Sequence, residues 1–179
     1  MEQLAVHGDW EYCGALGQDS HRFMTAGERS ADPAKILMLG GLAWPDEMPL
    51  AGNSDADVIL HALTNAISGL TGRNILGARA DELCLKQGIT DSAVYLRESL
   101  TDLAASGWLL CHVSFAVEGK RPHFANRIAE LRQRLAGLTG LAGEHIGLTA
   151  TSGEGLTSFG RGEGLQVLCQ ITAKRKLIG

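Results

Sequence analysis

Short apolar runs recur along the chain and predict the strands of a sheet. Glycine, proline or polar residues bound these runs, as expected where a strand gives way to a turn. Four segments have this pattern: residues 36–44, 109–117, 146–151 and 165–172. The last two flank a stretch from Thr149 to Gly164 that is rich in glycine and hydroxyl residues and is poorly suited to a core.

Apolar residues at helical spacing lie between these strands and predict three helices. The first begins at Ser54, with Asp57 three positions on in a capping-box-like arrangement, and stops near residues 69–72. Residues 72–90 are polar and predict irregular structure. The remaining two helices are predicted from Thr90 or Asp91 to Gly107 and from Phe124 to Leu138.

Strands and helices are interspersed and no internal repeat is visible, so we expect an α+β domain or an α/β sandwich. A chain of 179 residues is long enough to bury a substantial core as one domain. We expect that domain to span residues 13–179, with residues 1–12 as an N-terminal tail or an added strand.

Composition and charge limit the kinds of partner and cellular location that we expect for the protein. The formal net charge of −4 gives no reason to expect a nucleic-acid or anionic-membrane partner. No apolar run reaches the roughly 20 residues that a membrane helix needs, and the N-terminus lacks a signal-peptide pattern, so we expect a cytoplasmic protein. The cysteines lack C-x-x-C spacing and indicate neither a zinc knuckle nor a disulfide framework: Cys13, Cys84, Cys111 and Cys169.

Asp19, His21 and His61 are candidate metal ligands. In an extended segment Asp19 and His21 leave the same face, which is the spacing that offers two ligands to one ion. His61 lies at the edge of the apolar stripe of the first helix. Two imidazoles and a carboxylate match a catalytic zinc site with an open fourth position. In the alternative interpretation Asp19 caps a turn and His61 is a hydrogen-bonded histidine at the edge of the core.

The Thr149–Gly164 stretch combines open backbone amides with Arg161, Glu154 and Glu163. Such a combination of amides, one cation and two carboxylates suits an oligophosphate held with a divalent metal.

Four segments, in order, resemble motifs of the 2-C-methyl-D-erythritol 2,4-cyclodiphosphate synthase family. Residues 17–23 match G-x-D-x-H-x-F, and residues 39–45 resemble I-G-G-V-x-I-P. Residues 54–66 resemble S-D-G-D-V-x-x-H-A-L-T-D-A. Residues 150–165 resemble A-T-T-T-E-x-x-x-x-x-G-R-G-E-G-I at identical spacing. The resemblance covers residues 13 to 175, and four motifs in order are far more specific than any one of them.

The resemblance implies a single β-sheet with helices packed on one side and a homotrimer with active sites between subunits. One subunit would supply zinc ligands Asp19, His21 and His61, and its neighbour the cytidine pocket. The implied reaction is attack of a 2-phosphate on the β-phosphate of a CDP-linked methylerythritol, with release of CMP.

The same resemblance implies roles for residues of the glycine-rich stretch. Thr151 and Ser152 would donate hydrogen bonds to phosphate, and Glu154 would approach a Mg²⁺ or Mn²⁺ ion on the diphosphate. Arg161 and Glu163 would lie near the three-fold axis, where a bound isoprenoid diphosphate is expected.

The residues that differ from the family motifs lie at positions where the resemblance implies contact with substrate. Asn53 stands where the family has histidine, Asn65 replaces an aspartate, and Gly153 replaces the last threonine of T-T-T-E. Asn74 is the nearest match to the aspartate that binds the methylerythritol hydroxyls. The cytidine loop is shortened. The residues expected at the substrate are Asn53, Ser54, Asp55, Asn74, Lys120 and Pro122.

Retained metal ligands with altered substrate residues leave two interpretations within the family. One is a divergent but active synthase. The other is a paralogue that keeps the metal and the trimer but binds or processes a different phosphorylated ligand, with or without catalysis. A third hypothesis, outside the family, is a metal-dependent phosphohydrolase that uses zinc-bound water.

Overall fold

A computed structural model describes residues 9–177. Its strands are β1 (Trp10–Arg22), β2 (Leu37–Leu39), β3 (Leu42–Trp44), β4 (Leu109–Glu118), β5 (Ile146–Thr151) and β6 (Gly164–Lys176). Four of them form a mixed sheet in the order β1-β6-β4-β5, while β2 and β3 form a separate hairpin. Strand β6 is antiparallel to both of its neighbours, and β4 is parallel to β5.

Five α-helices connect the strands: α1 (Ala26–Ala31), α2 (Val58–Thr71), α3 (Ala78–Asp81), α4 (Ser92–Ala105) and α5 (Ile128–Thr139). A π-helical turn at Glu82–Lys86 continues α3, and 3₁₀ turns occur at Phe124–Arg127, Gly143–His145 and Gly153–Gly155. Within residues 9–177, no helix combines the length and apolar character needed to cross a bilayer.

The sheet has one covered face, as alternating burial along its central strands shows. In β6 the odd-numbered residues from Leu165 to Ala173 are buried, whereas Leu168 and Gln170 are exposed. Helix α2 packs on β1 and β6, and α5 packs on β5. These layers enclose one main core and confirm the predicted single α+β domain.

The strands predicted at 109–117, 146–151 and 165–172 are confirmed as β4, β5 and a longer β6. The single strand predicted at 36–44 is wrong. Gly40 and Gly41 take left-handed φ values of 62° and 73° and reverse the chain there, which divides the segment into β2 and β3.

Residues 72–90, predicted to be irregular, contain α3 and the π-helical turn. Of the predicted tail or added strand, Trp10 to Tyr12 begin β1 and pair with Lys176 to Lys174, while residues 1–8 lie outside the described residues. The second and third predicted helices are confirmed, the third beginning as a 3₁₀ turn.

Helix α2 begins at Val58 with Asp57 as its N-cap, three residues after the predicted N-cap Ser54. Ala56 has a left-handed φ of 55°, which a right-handed helix cannot accommodate, so Ser54 is not the N-cap. Asp57 caps the helix instead, accepting hydrogen bonds from the amides of Ile59 and Leu60 at 3.1 Å each.

Asp57 also joins α2 to the β2–β3 hairpin. Its carboxylate is fully buried and accepts from the amides of Gly40 at 2.8 Å and Gly41 at 2.7 Å. Four backbone donors on one carboxylate fix the start of the helix that carries His61.

Candidate metal centre and substrate site

The close contact between β1 and α2 positions the candidate metal ligands. Gly17, Asp19 and His21 share the face of β1 that α2 covers, because alternate side chains of a strand point the same way. A β-carbon on Gly17 would lie 2.1 Å from the carbonyl oxygen of Ala62. Glycine therefore allows the helix to approach the strand closely enough for His61 to reach Asp19.

The three side chains form a compact group of donor atoms. Asp19 Oδ2 lies 2.9 Å from His61 Nδ1 and 3.4 Å from His21 Nε2. One ligand atom from each residue lies within 4.8 Å of the other two. A carboxylate and two imidazoles in this arrangement fit three protein ligands of a zinc-type site with a fourth position open. The structure thus brings the predicted ligands together in one possible metal-binding group.

The backbone fixes the orientation of His21. Its Nδ1 lies 2.7 Å from the carbonyl oxygen of Ala51, which can only accept a hydrogen bond. Nδ1 must therefore carry the proton and donate it. In the neutral ring this leaves the lone pair on Nε2, the nitrogen that faces Asp19.

The electrostatics of the group favour a cation. Burial alone would raise the pKa of Asp19, but hydrogen bonds with His21 and His61 prevail and lower it to about 2. The hydrogen bond with Asp19 raises the pKa of His21 and outweighs the opposite effect of burial. Asp19 therefore carries a partly buried negative charge that a divalent ion can neutralise.

The outer nitrogen of His61 contacts a residue that the sequence did not predict. His61 Nε2 lies 2.8 Å from Oγ of Ser92, the fully buried first residue of α4. No local pattern predicts this contact, since Ser92 simply follows the capping residue Asp91.

Asp55, predicted to bind substrate, interacts with Ser92 instead. One carboxylate oxygen, Oδ1, accepts from Ser92 Oγ, and Oδ2 accepts from the Ser92 amide at 3.0 Å. Asp55 does not line the cavity beside the metal group. The prediction is corrected because the start of α4 occupies both carboxylate oxygens.

Asp19, His21 and His61 are called the metal group below. A cavity of about 360 Å³ opens beside it. All three of these side chains line the cavity. The other lining residues are Gly52, Asn53, Ser54, Asn65, Leu76, Gly77, Ala80, Cys84 and Tyr95. The predicted contacts Asn53 and Ser54 therefore face the space next to the metal ligands.

Asn74 lies elsewhere. It lines a neighbouring cavity of about 790 Å³ together with Arg73 and Arg79, and not the metal cavity. The side chain of Ile75 is buried in a small core with Leu83 and Tyr95. Asn74 and Leu76, on either side of Ile75, therefore line different cavities.

The predicted phosphate contacts are exposed: Thr151 ends β5, and Ser152 and Glu154 lie in the turn that follows it. Ser152 Oγ lies 3.4 Å from Glu154 Oε1, and Thr151 Oγ1 accepts from the Gly153 amide at 3.1 Å. Glu154 has a left-handed φ of 48°. A non-glycine residue in that conformation indicates local strain of the kind often found at functional sites.

The shortened loop after β4 packs on the same turn. The Gly119 amide donates to the Thr151 carbonyl oxygen at 3.0 Å, and the Lys120 amide donates to that of Phe159 at 3.2 Å. Lys120 is exposed and Pro122 is buried. The two predicted substrate segments, 118–122 and 151–154, are therefore neighbours.

Glu118 explains the glycine that replaces threonine at position 153. Its Oε1 accepts from Thr157 Oγ1, and a β-carbon on Gly153 would lie 2.1 Å from that same oxygen. Gly153 also has a left-handed φ of 63°. Both the backbone and the neighbouring carboxylate thus require glycine.

Arg161 and Glu163 pair with each other on the surface. Arg161 Nε donates to Glu163 Oε1 at 3.0 Å, and its Nη2 donates to Ser158 Oγ at 2.9 Å. The guanidinium lowers the pKa of Glu163. Both residues are exposed.

The metal group and the glycine-rich turn do not share a cavity within one chain. Among the residues that the structure describes, none from 118–122 or 151–163 lines the metal cavity. A site that needs both groups is therefore incomplete in a single copy.

Comparison with known proteins gives the family of this chain. The model of the YgbB family matches residues 13–174. The 2-C-methyl-D-erythritol 2,4-cyclodiphosphate synthase of Chlamydia caviae is 44% identical over 91% of this chain and 89% of its own length. Two solved structures of such a synthase, one of them a CDP-bound form, are 28% identical. Both comparisons cover 90% of this chain and 99% of the other, with TM-scores of 0.77 and 0.70.

Proposed function

Because this chain belongs to the YgbB family, we propose that it catalyses the reaction of a 2-C-methyl-D-erythritol 2,4-cyclodiphosphate synthase. In this reaction the 2-phosphate of a CDP-linked methylerythritol attacks the β-phosphate, which closes a cyclic diphosphate and releases CMP. The observation that carries the proposal is the Asp19–His21–His61 group, which opens onto a cavity. The chain that holds this group is 44% identical to such a synthase. The synthase, and not the ligand-binding paralogue, is the hypothesis that the relatives support.

The reaction requires neutralisation of the negative phosphate charge and alignment of the reacting atoms more than it requires a strong base. The nucleophile is already a phosphate oxyanion, and the attack brings it against a second charged phosphate. A zinc ion, when bound, would polarise a phosphate oxygen and offset this charge. Asp19 contributes the anionic ligand, while Ala51 keeps Nε2 of His21 available for coordination.

The hydroxyls of Thr151 and Ser152 would orient the diphosphate. Both are exposed, and Thr151 Oγ1 already accepts from the Gly153 amide, which leaves its own proton free to donate to a phosphate oxygen. The carboxylate of Glu154 would approach a Mg²⁺ or Mn²⁺ ion bound to the diphosphate, since such ions prefer oxygen ligands.

The organic part of the substrate would lie against neutral groups. Asn53 and Ser54 line the metal cavity and can hydrogen-bond phosphate or sugar oxygens without adding charge. Lys120 and Pro122 belong to the loop packed on the Thr151 turn, where the cytidine would bind. Asn74 is left out of this assignment because it lines the other cavity.

We propose a homotrimer in which each active site combines the metal group of one subunit with the Thr151 turn of another. The separation of the two groups within one copy supports this arrangement. So do the exposed apolar side chains of Tyr12 and Leu16, which are 62% and 66% exposed on the uncovered face of β1. Arg161 and Glu163 would lie near the three-fold axis.

The cytoplasmic location stays a prediction.

The decisive experiment is a CMP-release assay with the CDP-linked substrate, with and without a chelator. We expect release that stops on chelation and returns with added zinc and magnesium. His61→Ala should abolish release, whereas His145→Ala, a change at an exposed histidine of the turn before β5, should leave it unchanged. A wild-type protein that releases no CMP at any metal concentration would overturn the proposal, and so would full activity in the His61→Ala variant.

A further inference from the structure

A chain of three polar side chains extends outward from the metal group. It runs from His61 on α2 through Ser92 at the start of α4 to Asp55 in the loop before α2. His61 and Ser92 are buried, with 7% and 0% of their surface exposed. Hydrogen bonds between buried groups are costly to break because water cannot replace the lost partner.

The donors and acceptors along this hydrogen-bond chain determine the direction in which its protons point. An ionised carboxylate can only accept, so the single hydroxyl proton of Ser92 points to Asp55. The Ser92 oxygen then has only lone pairs to offer His61, and it must accept a proton from His61 Nε2. When a metal ion takes the place of the Nδ1 proton that Asp19 accepts, Nε2 keeps its proton and Nδ1 supplies the lone pair. Nδ1 is the nitrogen that lies 2.9 Å from Asp19, inside the donor group.

Asp55 is itself held at both ends, which keeps this direction fixed. Its amide donates to the Thr90 carbonyl oxygen at 3.0 Å, and its Oδ2 accepts from the Ser92 amide at 3.0 Å. The carboxylate is thus attached to the N-terminal end of α4. Contacts behind a metal-binding histidine commonly select its tautomer and its ring orientation.

We propose that Ser92 is a positioning residue for the metal site, which acts with Asp55 to hold His61 in the tautomer that presents Nδ1 to the metal. This inference rests on the metal site of the proposed function. It adds a determinant of metal affinity that neither contacts the metal nor lines the substrate cavity.

The first test measures zinc affinity by competition with a chromophoric chelator, which requires no turnover. Ser92→Ala removes the acceptor of the His61 proton, and we expect affinity to fall by about 10- to 100-fold. Ser92→Thr keeps the hydroxyl and should restore most of the affinity. Ser99→Ala is the matched control, since Ser99 is a buried serine of the same helix whose Oγ donates to the Leu96 carbonyl oxygen.

The second test reverses the direction of the proton chain. In Asp55→Asn the new amide nitrogen can face Ser92 Oγ and donate to it, which keeps the bond from the Ser92 amide but removes the one that the Asp57 amide donates to Oδ1 at 3.2 Å. The Ser92 proton then turns toward His61 Nε2 and displaces the His61 proton onto Nδ1. We expect zinc affinity to fall, because the His61 proton then occupies the nitrogen that faces the other candidate ligands. The absorption spectrum of the Co²⁺-substituted protein should change as the coordination by His61 weakens.

The outcomes separate this inference from the proposed function. Wild-type affinity in both Ser92→Ala and Asp55→Asn overturns the positioning role and leaves the metal site intact. An equal loss in Ser99→Ala also overturns it, because the effect would then be a general loss of packing. A wild-type protein that cannot compete for zinc overturns the metal site itself. If Ser92→Ala does not fold, the nearly isosteric Asp55→Asn decides between these outcomes.

Discussion

Gly17 of β1 and Ala66 of α2 are in backbone contact: a β-carbon on Gly17 would lie 2.2 Å from the Ala66 amide nitrogen. Neither backbone can move without displacing a strand or a helix of the core. We therefore expect Gly17→Ala to lower the free energy of unfolding by about 3 kcal/mol, at the upper end of overpacking costs. Because Asp19 and His61 lie on the two elements forced apart, zinc affinity should fall as well.

The matched control for this substitution is Gly69→Ala, in the exposed part of α2. A β-carbon there meets only atoms at 3.8 Å or beyond. Alanine should therefore raise the unfolding free energy by about 0.5 to 1 kcal/mol through helix propensity. Urea titration of both variants checks the pair. Equal stabilities would contradict the close contact of β1 and α2.

Asp57 should contribute more to stability than an ordinary helix cap. Asp57→Ala leaves four amides without their acceptor, including those of Gly40 and Gly41, and we expect a loss of about 3 kcal/mol or more. Asp91 caps α4 through one amide in an exposed position, so Asp91→Ala should cost about 1 kcal/mol. Thermal and urea unfolding of the two variants give the comparison, and a smaller loss for Asp57→Ala would refute it.

Gly153 and Gly155 provide a test of the contact with Glu118. Both have left-handed φ values, 63° and 74°, but only Gly153 faces a neighbouring side chain. Gly155→Ala should therefore show the backbone strain alone. Gly153→Ala should cost about 1 kcal/mol more, because the new methyl group displaces the Glu118 carboxylate from Thr157. The difference in unfolding free energy is the measurement, and it should vanish in a Thr157→Val background.

The metal-free protein should lose stability as the pH rises above neutrality. The pKa of His21 is raised above its ordinary value of 6.5, so its contribution is fully present below 6.5 and is lost as the pH rises through the raised value. The pKa of Asp19 is lowered from 3.8 to about 2, so its contribution is present above 3.8 and is lost as the pH falls through 2. Urea unfolding with a chelator, from about pH 6 to about pH 8.5, should show the decline that His21 predicts.

The control for this pH dependence is Asp19→Asn. It removes the partner that raises the pKa of His21, so the unfolding free energy should vary less over the same pH range. An unchanged slope would assign the pH dependence to other groups.

Local patterns in the sequence were enough to place most of the secondary structure. The apolar runs of β4, β5 and β6 and the stripe of α4 all predicted their elements, since each pattern reports which face is buried. The failures have local causes that apolar periodicity does not detect. The left-handed backbone at Ala56 delays α2, and the two left-handed glycines at 40 and 41 divide one predicted strand.

The candidate site likewise combines residues that local patterns predicted with residues that they did not. D-x-H on an extended segment predicted that Asp19 and His21 lie together, the edge of the helix stripe added His61, and the family resemblance supported all three. The residues behind the ligands were beyond prediction. Ser92 lies 31 positions from His61, and Asp55 was expected at the substrate because nothing local indicates that α4 begins against it.

The sequence by itself determined the residues with the required chemistry and the family to which the chain belongs. Motif spacing preserves both, because ligands on a strand and on a helix face depend on local geometry. The tertiary structure alone decided which atoms meet. The backbone contact at Gly17 brings His61 to Asp19, and the burial of Ile75 turns Asn74 away from the metal cavity. The position of α4 assigns Asp55 to Ser92 rather than to substrate, because packing between distant segments determines these contacts.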